Sequence, residues 1–205
     1  MNKEYIFTLK YKLPTHETNM DELVDRLYAA HCDDALIGVG IAGRIALEFA
    51  REAHSAEVAI KSAHQDVLKT IPEAQFIEAL PDYVGITDIA EIVNVSRQHI
   101  RQLYQSNLDS FPTPVHEGKS SIWHLIDIVE WFVVKQKNEI EPAIYEVAKE
   151  TEKLNRVRTT GKNLNIKTAL VEYCYSFDVV AEYFSSAEFL FASGKQKYSQ
   201  LAEAA

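Results

Sequence analysis

The sequence predicts an α+β fold in three parts, and three observations support this prediction. Apolar and polar residues alternate over several short segments before residue 80, which is typical of half-buried strands. Residues 86–105 have the apolar spacing of two short helices around a tight turn. A mixed-charge stretch and then a strongly apolar stretch, both favouring helices, fill the rest of the chain. We therefore divide the 205 residues into a first domain at 1–80, a second at 84–137 and a helical region at 138–205.

Residues 1–80 alternate between predicted strands and helices. The elements are, in order, a strand at Glu4–Pro14, a helix capped by Asn19, strands at Ala35–Val39 and from Ile45, a helix capped by Ser55 and ended by Pro72, and a strand at Ala74–Leu80. The order strand, helix, strand, strand, helix, strand is the ferredoxin-like pattern. The alternative for Ile45–Ala53 is an extension of the helix that follows it.

Two short motifs in the first domain suggest ligand sites, and for both we favour a structural interpretation. Gly38–Gly43 matches the G-x-G-x-x-G of dinucleotide sites, but the residues after it alternate like a strand instead of opening a helix. We therefore expect a hairpin turn there. Asp33 and Asp34 lack a third metal ligand, so we interpret them as a solvated turn. The sequence thus predicts no cofactor and no metal.

The charge distribution limits the kinds of function that are plausible. The chain has a net charge of −9, and residues 1–84 hold 8 basic and 14 acidic side chains. Residues 85–137 are close to neutral, with 5 basic and 6 acidic side chains. Non-specific binding to a polyanion should therefore be weak. No segment has the pattern of a signal peptide or a membrane span, and Cys32 and Cys174 are far apart, so we expect a cytoplasmic protein with reduced thiols and no membrane partner.

Residues 86–103 satisfy the requirements of a helix-turn-helix. The crossing of the two helices leaves room only for a small side chain, and Ala90 stands at that position. The turn needs a residue that tolerates a positive φ, which Asn94 does. Thr87 and Ser96 can cap the two helices. The positions expected to be buried are all apolar: Ile89, Val93, Val95, Ile100 and Leu103.

The outward face of the second helix has the chemistry of a DNA reader. It lacks carboxylates and carries Ser96, Arg97, Gln98, Arg101, Gln102 and Gln105, with His99 beside them. In the major groove Arg pairs with guanine and Gln with adenine, and either side chain can hold a phosphate. The alternative is an ordinary solvated face, but such a face usually mixes charges of both signs. The sequence therefore predicts that this helix binds double-stranded DNA.

The residues after the second helix predict a short hairpin and a third helix. Prolines extend Phe111–Val115, Glu117–Lys119 can turn, and Ser121–Trp123 can return as a second strand. Asp127–Lys137 is amphipathic, with Ile128, Val129, Trp131 and Phe132 available for packing. We expect Trp123 and Trp131 to be core residues. We interpret His116 and His124 as surface residues.

The segment 84–134, about a quarter of the chain, resembles the winged helix-turn-helix of the MerR and phage-excisionase type. The F-P-x-P-V segment, the short hairpin and Asp127-Ile128-Val129-Glu130-Trp131 have the look of that family. The resemblance implies that the second helix enters the major groove. It also implies that Lys119 and Ser120, in the wing, contact the DNA backbone or the minor groove. Residues 1–80 resemble a module that precedes this domain in small bacterial DNA-binding proteins.

The region 138–205 is predicted to be helical. Glu139–Leu154 has the pattern of a helix, and Arg156–Lys162 that of a basic, flexible connector. Ile166–Phe184 is so apolar that it must be covered. Either it folds back on the first two domains, or it forms a dimerisation or partner-binding element.

The leading functional prediction is a sequence-specific DNA-binding transcription regulator, acting as a homodimer and regulating its own operon. No catalytic constellation is visible, so we do not expect an enzyme. A first alternative is an antitoxin or phage-defence accessory protein that binds a partner protein through the first domain or the C-terminal helix. Further alternatives are an excisionase-like protein that bends DNA and a sensor whose first domain binds a small molecule.

Overall fold

The computed structural model describes residues 2–136 and 140–160, and it has the mixed α+β class that the sequence predicts. Six strands form two antiparallel sheets, and six α-helices surround them within these residues. The elements are β1 (Lys3–Lys12), α1 (Met20–Ala29), β2 (Ala35–Gly38), β3 (Arg44–Ala53), α2 (Ala56–Thr70), β4 (Gln75–Leu80), β5 (Tyr83–Val84), α3 (Ile86–Ile92), α4 (Arg97–Ser106), β6 (Trp123–His124), α5 (Leu125–Trp131) and α6 (Pro142–Thr160). A π-helical segment, Phe132–Gln136, directly continues α5.

The four strands of the first sheet lie in the order β2-β3-β1-β4 and all pair antiparallel. The alternation seen in the sequence decides which face is covered, because successive side chains of a strand point to opposite faces. The odd-numbered residues of β1, from Tyr5 to Tyr11, are fully buried. The segment Ile45–Ala53 lies in β3, so the prediction of a strand is confirmed and the helical alternative is wrong.

The motif Gly38–Gly43 joins β2 to β3 as a hairpin connection, as predicted. Gly38 ends β2, Arg44 begins β3, and the two strands pair antiparallel from Ala35 to Gly38. Gly43 has a φ of 72°, a conformation that glycine adopts without strain. Its glycines therefore serve a turn between strands and do not open a helix.

Helices α1 and α2 cover the face of the sheet that carries the odd-numbered residues of β1. The predicted caps are confirmed, because the Asn19 side chain accepts a hydrogen bond from Glu22 N and Ser55 Oγ accepts one from Val58 N. The shared core contains Leu23 and Leu27 of α1 and Ile60 of α2.

A nearly buried guanidinium links this layer of helices to the sheet. Arg51 of β3 donates to Asp34 through Nε at 2.7 Å and through Nη2 at 3.0 Å, and its Nη1 donates to Asp66 at 2.9 Å. The interpretation of Asp33 and Asp34 as a merely solvated turn is therefore wrong for Asp34, which neutralises Arg51. Because Arg51 is nearly buried and bonds both Asp34, just before β2, and Asp66 of α2, these ion pairs fix the position of α2 relative to the start of β2.

The helix α6 is longer than predicted and changes two expectations. Arg156 and Arg158 belong to α6, so they are not part of a flexible connector. Lys162, Cys174 and the apolar segment Ile166–Phe184 lie outside the described residues. The helix packs on both hydrophobic cores, because Val147 and Leu154 belong to the first core and Ala148 to the second.

Polar side chains of α6 bind the segment that joins the two domains. Asn155 Oδ1 accepts from Ala79 N at 2.8 Å and Asn155 Nδ2 donates to Ala79 O at 2.8 Å, so the amide satisfies the outer edge of β4. Asn155 Nδ2 also donates to Asp82 Oδ2 at 2.7 Å. Thr151 Oγ1 donates to Pro81 O at 2.7 Å. The end of β4 is therefore held by hydrogen bonds that a helix supplies from 70 residues further along the chain.

The second domain supplies the remaining partner of this segment. His124 Nδ1 lies 2.6 Å from Oδ1 of Asp82, whose side chain is fully buried. The interpretation of His124 as a plain surface residue is thus wrong. We call Asp82, His124, Thr151 and Asn155 the junction cluster, since these four side chains come from the linker, the second domain and α6.

A buried histidine makes the stability of the first domain depend on pH. His64 of α2 is almost completely buried, its Nδ1 lies 2.8 Å from the Tyr11 hydroxyl, and its Nε2 has no hydrogen-bond partner within the described residues. Burial disfavours the charged ring and lowers the pKa of His64 from 6.5 to about 4.

We predict that the free energy of unfolding falls by about 3 kcal/mol between pH 6.5 and pH 4, because the unfolded chain then binds a proton that the folded chain does not. Urea unfolding at several pH values measures this slope. In His64→Gln the slope should largely disappear, whereas the acid losses due to carboxylates remain. Parallel pH profiles for the two proteins would show that His64 does not titrate as described.

Candidate nucleic-acid interface

The helices α3 and α4 cross over a turn of four residues. Ala90 is 2% exposed at the crossing, and its carbonyl accepts a hydrogen bond from Val95 N at 2.9 Å across the turn. Asn94 has a φ of 54°, which is the left-handed conformation that the sequence predicts at this position. Ile89 and Ile100 are fully buried, and Val93, Val95 and Leu103 pack partly buried against the same core.

The structure confirms one of the two predicted helix caps. Ser96 precedes α4, and its Oγ accepts a hydrogen bond from His99 N at 3.1 Å. Thr87 lies inside α3, whose N-cap is Gly85, so the prediction that Thr87 caps this helix is wrong. The N3 carboxylate does the capping instead, since Asp88 Oδ2 accepts from Gly85 N at 2.7 Å.

The outward face of α4 carries the predicted polar residues on a single continuous surface. Seven of the predicted contact residues on this helix and its cap are exposed: Ser96, Arg97, Gln98, His99, Arg101, Gln102 and Gln105. Ile100, in the same helix, is buried and fixes which face points outward. The helix contains no acidic side chain, so its two guanidiniums have no carboxylate on their own helix to neutralise them. We call this surface the α4 face.

An aromatic cluster behind α4 holds the helix in place. The Tyr104 ring packs edge-on against Phe111 at 5.3 Å and against Trp123 at 5.4 Å. Trp123 is fully buried and its Nε1 donates to Pro112 O at 2.9 Å. Trp131, also buried, lies 4.8 Å from the Phe111 ring. Both tryptophans are core residues, as predicted.

The predicted hairpin after α4 is present as a narrow pair of extended segments. His116 bridges antiparallel to Ile122, and Ile122 N donates to His116 O at 3.0 Å. Lys119 and Ser120 are exposed at the tip between them. The next residue pair, Val84 with Trp123, joins the hairpin to the strand that precedes α3. The hairpin therefore follows α4 in the chain and also pairs, through Trp123, with the strand that precedes α3.

The hairpin lies beside the α4 face. Tyr104 of α4 donates its hydroxyl to Glu117 Oε1 at 3.4 Å, which joins the hairpin to the helix. The structure thus gathers seven of the ten predicted contact residues on α4 and its cap, two at the hairpin tip, and one, half-buried Thr87, on α3.

Other ligand chemistry is not visible in the part of the chain that the structure describes. Within residues 2–136 and 140–160 no three His, Cys, Asp or Glu side chains are grouped as metal ligands. Cys32 is buried without a disulfide partner there, and burial raises the pKa of its thiol to about 11. No helix in these residues is long and apolar enough to cross a membrane.

Sequence reasoning missed the junction cluster, which fixes the orientation of the domain that carries the α4 face. A signal was present: Thr151 and Asn155 are polar residues one helical turn apart on the side of α6 that also carries Val147 and Leu154. Polar side chains on a buried helix face require partners, and that requirement predicts an acceptor opposite them.

Comparison of the chain with protein-family models, with curated proteins and with solved structures gives no match.

The left-handed residue of the turn gives a direct test of this geometry. Asn94→Ala should lower the free energy of unfolding by about 1 kcal/mol and the Tm by about 3 °C, because a Cβ without a polar group disfavours a positive φ. Asn94→Gly is the matched control and should retain the wild-type Tm, since glycine adopts this conformation freely. Calorimetry on the three proteins measures the difference. Equal losses in both variants would mean that the Asn94 side chain, and not its φ, matters at this site.

Proposed function

We propose that this protein binds double-stranded DNA in a sequence-specific way through the α4 face and acts as a transcription regulator. The observation that carries the proposal is the exposure of Arg97, Gln98, Arg101 and Gln102 on one side of a short helix that has no carboxylate. These side chains can pair with base edges in the major groove or with phosphates.

The arrangement around α4 supports a winged helix-turn-helix. The helix pair crosses over the small residue Ala90, and the hairpin carrying Lys119 and Ser120 extends beside the second helix. In such a domain the second helix occupies the major groove, and the wing contacts the backbone or the minor groove. The strand order β2-β3-β1-β4 with the element order of the first domain supports a ferredoxin-like fold next to it.

The overall charge of the chain favours specific over non-specific binding. Because the net charge is −9, neutralisation of DNA phosphates contributes little affinity for duplexes of arbitrary sequence. Affinity must then come from base-specific contacts, and from the binding of two copies of the protein to paired half-sites. A regulator with these properties would leave most of the genome unoccupied and respond to few sites.

Binding measurements with Arg97→Ala/Arg101→Ala test the proposal. A duplex fragment from the promoter of the protein's own gene, and duplexes selected from a random pool by the wild-type protein, serve as ligands. We expect the double variant to bind the preferred duplex about 30-fold more weakly or worse, because each lost base or phosphate contact costs about 1–3 kcal/mol. Its affinity should also fall less steeply with added salt.

The control Arg26→Ala/Lys69→Ala removes the same charge from α1 and α2 and should bind like the wild type. Equal Tm values for the three proteins would exclude unfolding as a cause. If the wild-type protein selects no sequence at low salt, or if both double variants lose affinity equally, the α4 face is not a DNA reader.

A further inference from the structure

No helix of the described residues covers the second face of the first sheet. The helices α1, α2 and α6 pack on the opposite side, where the odd-numbered residues of β1 and β3 form the core. The even-numbered residues of β1 and β3 define the uncovered side, which we call the open sheet face. Ile6 of β1 is 60% exposed, and Leu36 of the edge strand β2 is 72% exposed. Exposed apolar side chains on a four-stranded sheet are typical of an interaction surface.

Charges are sorted along the strands of this face. Lys12 of β1 lies opposite Arg44 of β3, so one end of the face is basic. Glu4 lies opposite Glu52, so the other end is acidic. Between the two ends Ile6 lies opposite Ala50, Thr8 opposite Glu48 and Lys10 opposite Ala46. The Lys10 ammonium is neutralised by Glu78 of β4, with 2.8 Å between Nζ and Oε1.

A surface with opposite charges at its two ends is complementary to itself. A two-fold axis that lies between two such sheets and runs across their strands reverses the strand direction of one copy. It places Lys12 over Glu4 of the second copy and Arg44 over Glu52 of the second copy, and each pair occurs twice. An axis along the strands would instead bring like charges together. Isologous contacts of this self-matching kind are the usual basis of homodimers.

From this charge pattern we infer that the open sheet face binds the open sheet face of a second copy of this chain, with the strands of the two sheets running in opposite directions. The exposed apolar side chains of Ile6 and Leu36 lie between the two sheets, which are about 10 Å apart. The charged ends form the rim and set the direction of pairing. The resulting dimer carries two α4 faces.

The size of the face determines how strong the contact is. The strands β1 and β3 have ten residues each, β4 has six and β2 has four. At about 3.3 Å of rise per residue and about 4.8 Å between strands, the face covers about 480 Å² on each copy. Stable interfaces bury about 800 Å² on each partner, so this contact belongs to the class of weak interfaces. We therefore expect micromolar dimerisation that weakens with added salt, because the rim pairs are screened.

The position of Glu48 at the centre of the face leads to a second expectation about the affinity of the dimer. It lies opposite Thr8, midway between the basic and the acidic end, and therefore close to the two-fold axis. The two copies of its carboxylate face one another across that axis, which opposes association. Glu48→Gln should tighten the dimer.

Charge reversal at the two ends tests the inference in the absence of DNA, with the full chain. Lys12→Glu/Arg44→Glu makes both ends acidic, and Glu4→Lys/Glu52→Lys makes both ends basic. Sedimentation velocity should show dimer dissociation constants raised at least about tenfold for each variant alone, because four attractive rim pairs become repulsive. An equimolar mixture of the two variants should dimerise again, since their faces are then complementary. Arg26→Glu/Lys69→Glu, which changes the charge equally on α1 and α2, should dimerise like the wild type.

Three outcomes would overturn the inference. The first is a wild-type chain that stays monomeric at high concentration, which includes the case in which residues 161–205 of the same chain cover the face. The second is a dimer that neither reversal weakens, because it then uses another surface. The third is two folded variants that weaken the dimer but do not associate with each other. Circular dichroism establishes folding in each case. Failure here leaves DNA binding through α4 a separate question, because no DNA enters the measurement.

Discussion

The position of the second domain depends on the buried carboxylate of Asp82. A fully buried carboxylate is costly unless its oxygens are hydrogen-bonded, and here each has a partner: His124 for one and Asn155 for the other. One partner belongs to the second domain and the other to α6, so the requirement is met only when linker, domain and helix come together. Leu125 N also donates to the Asp82 carbonyl at 2.7 Å, which fixes the start of α5. Satisfying one buried carboxylate therefore determines how the chain runs from the first sheet into α3 and α4.

The remaining architecture follows from that arrangement. Asn155 binds both backbone groups of Ala79, so the exposed edge of β4 is covered and cannot pair with a further strand there. The helix α6 then contributes Val147 and Ala148 to two different cores. Because α6 lies against the first domain and against α5, the α4 face is presented from a body that includes both sheets. Rigid presentation matters for the DNA binding that we propose, because each base contact needs its side chain at a defined distance.

The local structure was predicted correctly where it depends on a single residue or on the alternation of apolar and polar residues in a short segment. The alternation in β1, the caps Asn19, Ser55 and Ser96, and the left-handed Asn94 each depend on a few neighbouring residues, and all are as expected. Ala90 was predicted at the helix crossing because its side chain is small, and the two tryptophans were predicted to be core residues because they are large and aromatic; all three are buried.

One failure is local: Thr87 was expected to cap α3, but the helix begins at Ile86 after Gly85, and the Asp88 side chain accepts a hydrogen bond from Gly85 N. The other failures concern partners distant in the chain. His124 and Asp34 were interpreted as solvated because their partners, Asp82 and Arg51, are 42 and 17 residues away. The end of Glu139–Leu154 was misplaced because Asn155, a poor helix former, is kept in α6 by its bonds to Ala79. A polar residue on an apolar helix face indicates that such a hydrogen bond is needed, but a single sequence does not identify the distant partner.

Hydrogen exchange with and without duplex DNA maps the surface that the DNA protects and tests binding through the α4 face. With a duplex selected by the protein, we expect slower exchange of backbone amides in residues 96–105 and 117–120, with exchange in α1 and α2 unchanged. Protection confined to the first domain, or the absence of protection around α4 at saturating DNA, would contradict the assignment of the α4 face as the DNA-binding surface.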